Sequence, residues 1–141
     1  MEKKSTGDLR QELMSQPNLD AYIHANQKFF QENDMTELLS RLYDRKTFSK
    51  AELARRASIS EVYIHQVFSG RRKPTRDRLV CICFGLQATL EETQELLKQA
   101  GYAQLYVKNK REAIIAHGII HHTPLSEINE RLFAENEKTL F

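Results

Sequence analysis

Between residues 34 and 101, signals that start and stop helices follow one another at short intervals, leaving room only for a chain of short helices. Asp34-Met35-Thr36-Glu37, Ser49-Lys50-Ala51-Glu52 and Thr89-Leu90-Glu91-Glu92 each have the form of a capping box. In that motif the first side chain accepts from an orphan N–H while the fourth reaches back to the cap. Ser60 and Thr75 are further N-caps, and stops are marked by Gly70, with Pro74 beyond it, and by Gly101. Apolar residues between these marks keep helical spacing. Leu38, Leu39, Leu42 and Tyr43 form one stripe, Leu53, Ala54 and Ala57 a second, and Ile64, Val67 and Phe68 a third. Leu79, Ile82, Cys83 and Leu86 make a fourth, and Leu90, Leu97 and Ala100 a fifth. No alternating run of β-branched residues appears. The segment therefore predicts five helices, roughly 35–46, 50–57, 61–69, 76–86 and 90–100, in an all-α fold.

The flanks also read as helical. Leu19, Tyr22, Ile23, Phe29 and Phe30 give an amphipathic segment behind Pro17-Asn18. Residues 109–122 carry Ile114, Ile115, Ile119 and Ile120, an arc too wide for one simple core stripe. Thr123-Pro124 opens a last helix, with Thr as cap and Pro at its first position, and Leu125, Ile128, Leu132 and Phe133 line one face. Both termini, up to about Asp8 and from about Ala134, are expected to fray. The expected organisation is an N-terminal helical extension over 1–33, a central domain over 34–101 and a C-terminal helical extension over 102–141.

Charge sharpens this division. The whole chain of 141 residues carries only +2, which points to no partner, but residues 36–80 hold eleven basic against five acidic residues, a net of +6. The flanking segments are neutral or acidic, so one electropositive surface is expected. No uncharged run approaches the ~18 apolar residues of a membrane span. The opening residues lack a secretory pattern, and Cys81 and Cys83 sit too close for an easy disulfide. These features fit a cytoplasmic protein without a membrane anchor.

The stretch from Phe48 to Pro74 is the most informative. A capped helix of about eight residues ends in a small residue, turns in about three and meets a second capped helix. Ile59 would plug the turn, while Ile64 and Val67 would anchor the second helix in the core. That is the spacing of a helix-turn-helix, whose second helix lies in a DNA major groove. On Ala51-Glu52-Leu53-Ala54, Ser60 through Ile64, and Gly70-Arg71-Arg72-Lys73-Pro74, the chain resembles the lambda-repressor-like, XRE-type helix-turn-helix domains of bacterial and phage regulators. The resemblance covers about residues 34–101. Two positions depart from the family: Ser58 stands in the turn where Gly is usual, and Phe68 where Glu is frequent.

The resemblance implies a five-helix domain and assigns roles. Residues at the start of the recognition helix and one turn later reach base edges, here Glu61, Val62, His65 and Gln66, with Tyr63 beside them. Gln66 suits adenine, Glu61 the amino group of cytosine, and Val62 a thymine methyl. Phosphate contacts are expected from Lys50, from Ser60 at the helix start, and from Arg71, Arg72 and Lys73 with Arg76 nearby. The expected function is a sequence-specific transcriptional regulator, a dimeric repressor reading a pseudo-palindromic operator in double-stranded DNA. The rival is an antitoxin-like or adaptor protein that uses the helical domain mainly to hold a protein partner. The 109–133 helices are candidates for dimerisation or for a protein contact. His117 and His121 are i, i+4 and His122 adjoins them, but a metal site needs a third or fourth ligand, so no metal or cofactor is expected. No phosphate loop, catalytic triad spacing or His-Glu-x-x-His motif is present, and no enzyme activity is expected.

Overall fold

The structure, a computed structural model, describes residues 4–27 and 34–141, apart from the side chain of Asp34. Phe29, Phe30 and the capping role read for Asp34 lie outside the described residues. Among those residues every regular element is an α-helix: α1 (Thr6–Ser15), α2 (Leu19–Ala25), α3 (Asp34–Asp44), α4 (Lys50–Ala57), α5 (Glu61–Phe68), α6 (Arg76–Leu86), α7 (Leu90–Gln99), α8 (Lys110–Ile120) and α9 (Leu125–Ala134). None is long and apolar enough to cross a membrane. The chain divides into two compact units, Met1–Glu32 and Asn33–Phe141.

In the first unit the residues from Ser5 to Asp8 are held, against the expectation of fraying. Ser5 accepts from the Asp8 N–H at 3.0 Å and Asp8 accepts from the Ser5 N–H at 3.1 Å, a complete capping box that starts α1. Sequence periodicity misses this helix because none of its residues is buried. A buried polar group joins α1 to α2: Asn26 donates to Glu12 at 2.9 Å and to the Tyr22 carbonyl at 3.1 Å, and accepts from Lys4 at 2.8 Å.

The second unit is built around α6. Its apolar pattern predicts a stripe, yet every residue from Leu79 to Leu86 is buried. Helix α4 covers one side, and α7 and α9 cover others. Gly85 permits the close approach of α4, since a Cβ there would stand 2.8 Å from Leu53 Cδ1. The turn between α4 and α5 places Ser58 in the left-handed region, at φ 55° and ψ 41°, as a turn without Gly requires. Ile64 and Val67 are fully buried, and Ile59 is half-buried against the same core.

Caps depart from the expected pattern at two places. Ser49 accepts from the Glu52 N–H at 3.1 Å, but the Glu52 carboxylate turns to Arg55 and Arg56 instead of back to Ser49. Thr89 and Glu92 do form both bonds. Thr123 is not the cap of α9: Pro124 occupies that position, and no side chain caps the helix.

The α8–α9 pair packs on the five central helices through Ile115, Ala116, Ile119, Leu125, Ile128 and Leu132, all buried. Ile120 and Phe133 remain exposed. The chain beyond Ala134 is also held, against the expectation of fraying. Arg111 donates to the Lys138 carbonyl at 2.7 Å, Leu140 N–H donates to Asn129 at 2.7 Å, and the Leu140 side chain is buried.

Candidate nucleic-acid interface

Two faces of α5 have opposite characters. Tyr63, Ile64, Val67 and Phe68 point into the core, while Glu61, Val62 and His65 are exposed and Gln66 is half-buried. Val62 is 66% exposed, an apolar side chain presented to the outside on an otherwise polar face. Ser60 starts the helix by accepting from the Tyr63 N–H at 3.2 Å. That bond uses a lone pair of the hydroxyl and leaves its proton able to donate.

The polar side chains of this face hold one another. Glu61 and His65 approach to 3.3 Å one turn apart. Arg72 donates to Gln66 Oε1 at 2.8 Å, which orients the amide. An amide oxygen has a second lone pair, so Gln66 retains one acceptor site and both N–H donors for a base edge.

Aromatic rings seat the surrounding cations. Lys50 Nζ lies 5.6 Å from the ring centre of Tyr43 and 5.2 Å from that of Phe68. Phe68, at the position where the resemblance leads one to expect Glu, is thus core packing that also carries a cation. Arg72 and Arg78 lie over the Tyr63 ring at 5.0 and 4.5 Å, and Lys73 over Tyr102 at 4.7 Å. A cation over a ring face is attracted by its quadrupole and loses rotamer freedom before any ligand arrives. Arg71, exposed beside them, follows Gly70, whose φ of +80° lets the chain leave α5 abruptly.

Two expectations are corrected here. Tyr63 is only 6% exposed and covered by two guanidinium groups, so it cannot present itself to a base edge. Arg76 is engaged within the chain at all three guanidinium nitrogens. It donates to the carbonyls of Ala103 at 2.9 Å and Gln104 at 3.1 Å, and pairs with Glu112 at 2.6 Å. Burial alone would raise the Glu112 carboxyl, but hydrogen bonds from Arg76 and the Tyr106 N–H, with the nearby charges of Arg76 and Arg111, hold it below the ordinary glutamate range. Conversely, Arg78, which counts only toward the basic block in the sequence, is exposed and seated next to Arg72.

His117 and His121 stack with ring centres 4.2 Å apart, and among the described residues no three His, Cys, Asp or Glu side chains are placed to hold a metal ion. Cys81 and Cys83 are buried thiols, both pushed up to about 12 by burial above all.

With this geometry in view, a family model described as a helix-turn-helix domain matches residues 34–96. These residues form a helix-turn-helix domain of the lambda-repressor-like type, a DNA-binding fold, with α4 and α5 as its two named helices. No curated protein and no solved structure matches the chain.

Proposed function

We propose that the protein is a cytoplasmic, sequence-reading transcriptional regulator that occupies its operator as a homodimer. The observation that carries the reading is the outer face of α5, which presents Glu61, Val62, His65 and Gln66, with Lys50 seated on Phe68 and Arg72 bonded to Gln66. Gln66 reads adenine, Glu61 accepts from cytosine N4, and Val62 meets a thymine methyl. Lys50, Ser60, Arg71, Arg72, Lys73 and, in place of Arg76, Arg78 hold phosphates. Residues 34–101 are the DNA-binding domain, with 1–33 and 102–141 as extensions. Exposed Ile120 and Phe133 on α8 and α9 support a contact of the second extension with another copy. Two recognition helices then enter successive major grooves about 34 Å apart, and occupancy blocks polymerase.

Selection of bound duplexes from a randomised pool tests this. Gln66→Ala is expected to lose about 1–3 kcal/mol of discrimination at one base pair, and Arg71→Ala to lower the salt slope by about 1 for all sequences. Unchanged discrimination removes Gln66 from base reading. Binding that does not weaken with salt removes the DNA reading altogether.

A further inference from the structure

The family match ends at residue 96; within it Gln66 holds Arg71 and Arg72, but the end of the basic loop is fixed by contacts from beyond it. Three of them converge on residues 73–76. The Tyr102 hydroxyl donates to the Pro74 carbonyl at 2.6 Å while its ring carries Lys73. Arg76 is held by the carbonyls of Ala103 and Gln104. Glu112, in the first turn of α8, closes the arrangement with Arg76 at 2.6 Å. A second pair runs the opposite way between the same two helix starts, Arg111 to Asp77 at 3.1 Å. All four charged side chains are at most 25% exposed, so these pairs are better shielded from salt than a surface pair.

We propose that Tyr102 and Glu112 are positioning residues for DNA binding, acting through Pro74 and Arg76 to hold the Arg71–Lys73 loop in its phosphate-contacting place. The inference rests on the DNA-binding reading above. It makes the C-terminal extension part of the reading apparatus: whatever shifts the start of α8 shifts the loop cations with it. It also carries a sign that simple electrostatics does not share. Glu112→Gln removes a negative charge beside a basic loop, which by charge alone tightens DNA binding and steepens its salt dependence. Positioning requires the reverse, because the neutral amide releases Arg76 and with it the loop.

The test uses the full chain and a fluorescent mixed-sequence duplex, titrated between about 50 and 200 mM salt. Each variant is measured well below its own unfolding midpoint, so that loss of fold is not read as loss of binding. Glu112→Gln and Tyr102→Phe, the second keeping the ring under Lys73 and losing only the hydroxyl bond, are each expected to bind about fivefold more weakly than wild type. Both should show a shallower salt slope. Glu130→Gln, an equal charge change at an exposed position of α9, is expected to bind no more weakly than wild type. If either Glu112→Gln or Tyr102→Phe matches that control, the positioning role is overturned while the DNA-binding reading stands. If the wild-type protein itself shows no salt-dependent binding, the reading fails first and takes this inference with it.

Discussion

Replacing a glycine inside a helix by alanine ordinarily stabilises it by about 1 kcal/mol. At Gly85, the next-to-last residue of α6, the opposite sign is expected. A Cβ there stands 2.8 Å from Leu53 Cδ1 and 3.3 Å from both the Ala57 nitrogen and the Leu53 carbonyl oxygen. The Leu53 side chain is completely buried, so its methyl group has little free space to move into. The other two atoms belong to the backbone of α4, which yields only if the whole helix steps back. Overpacking of this kind costs about 1–3 kcal/mol, and two backbone contacts place Gly85→Ala at the upper end. Set against the propensity gain, the net loss is about 2 kcal/mol. For a unit of this size that lowers the thermal midpoint by about 8 °C. Thermal and urea unfolding followed by circular dichroism at 222 nm measure it directly. A midpoint at or above wild type would refute the argument, showing that the crossing of α4 and α6 is not set by the missing Cβ.

Cys81 and Cys83, with thiols pushed up to about 12 by burial, should resist a thiol-reactive dye in the native protein at mild alkaline pH. Both should label on unfolding, and rapid native labelling would contradict their placement in α6. Glu112, held below the ordinary glutamate value of 4.5, contributes stability that is fully present above that value. It is lost as pH falls through the lower, folded-state value. The urea-midpoint difference between wild type and Glu112→Gln should therefore be constant near neutrality and shrink in acid; a difference independent of pH would exclude the ion pair as its source. Leu140→Ala should cost about 2 kcal/mol, the low end for a buried leucine, in urea unfolding. Wild-type stability in that variant would mean that the tail does not dock.

The central helices are legible in the sequence because their determinants are local. Ser49, Ser60, Thr75 and Thr89 each accept from the N–H three residues on, and Gly70 and Gly101 take the positive φ that a stop requires. The recognition face follows from the same periodicity, since burying Ile64 and Val67 turns Glu61, Val62 and His65 outward. What stays hidden depends on a third body. The stripe read in α6 widens to complete burial because α7 and α9 pack on it as well as α4. Docking of Leu140 depends on Asn129 and Arg111, partners that no short-range pattern connects. Half of the Ser49 capping box is lost because two arginines compete for the Glu52 carboxylate.

Arg76 and Arg78 show how much a count of cations can conceal. Both lie in the first turn of α6, and the sequence alone does not say which of them faces α5. Two residues apart on an α-helix is a rotation of about 200°, so the pair points to nearly opposite sides and at most one member can join a surface shared with α5. Tyr63 decides which. Its ring, buried at the inner face of α5, seats Arg78 at 4.5 Å and Arg72 at 5.0 Å, which commits Arg78 to the side of the recognition helix. Arg76 is then turned to the loop at 103–104 and to Glu112, where its charge is paired within the chain. The net of +6 over residues 36–80 therefore overstates the field available to DNA. Glu92, outside that block, engages Arg45, and of the exposed cations near α5 the side chains of Lys50, Arg72, Lys73 and Arg78 are seated on rings. Pre-seated charge of this kind favours a fixed pattern of phosphates over general attraction.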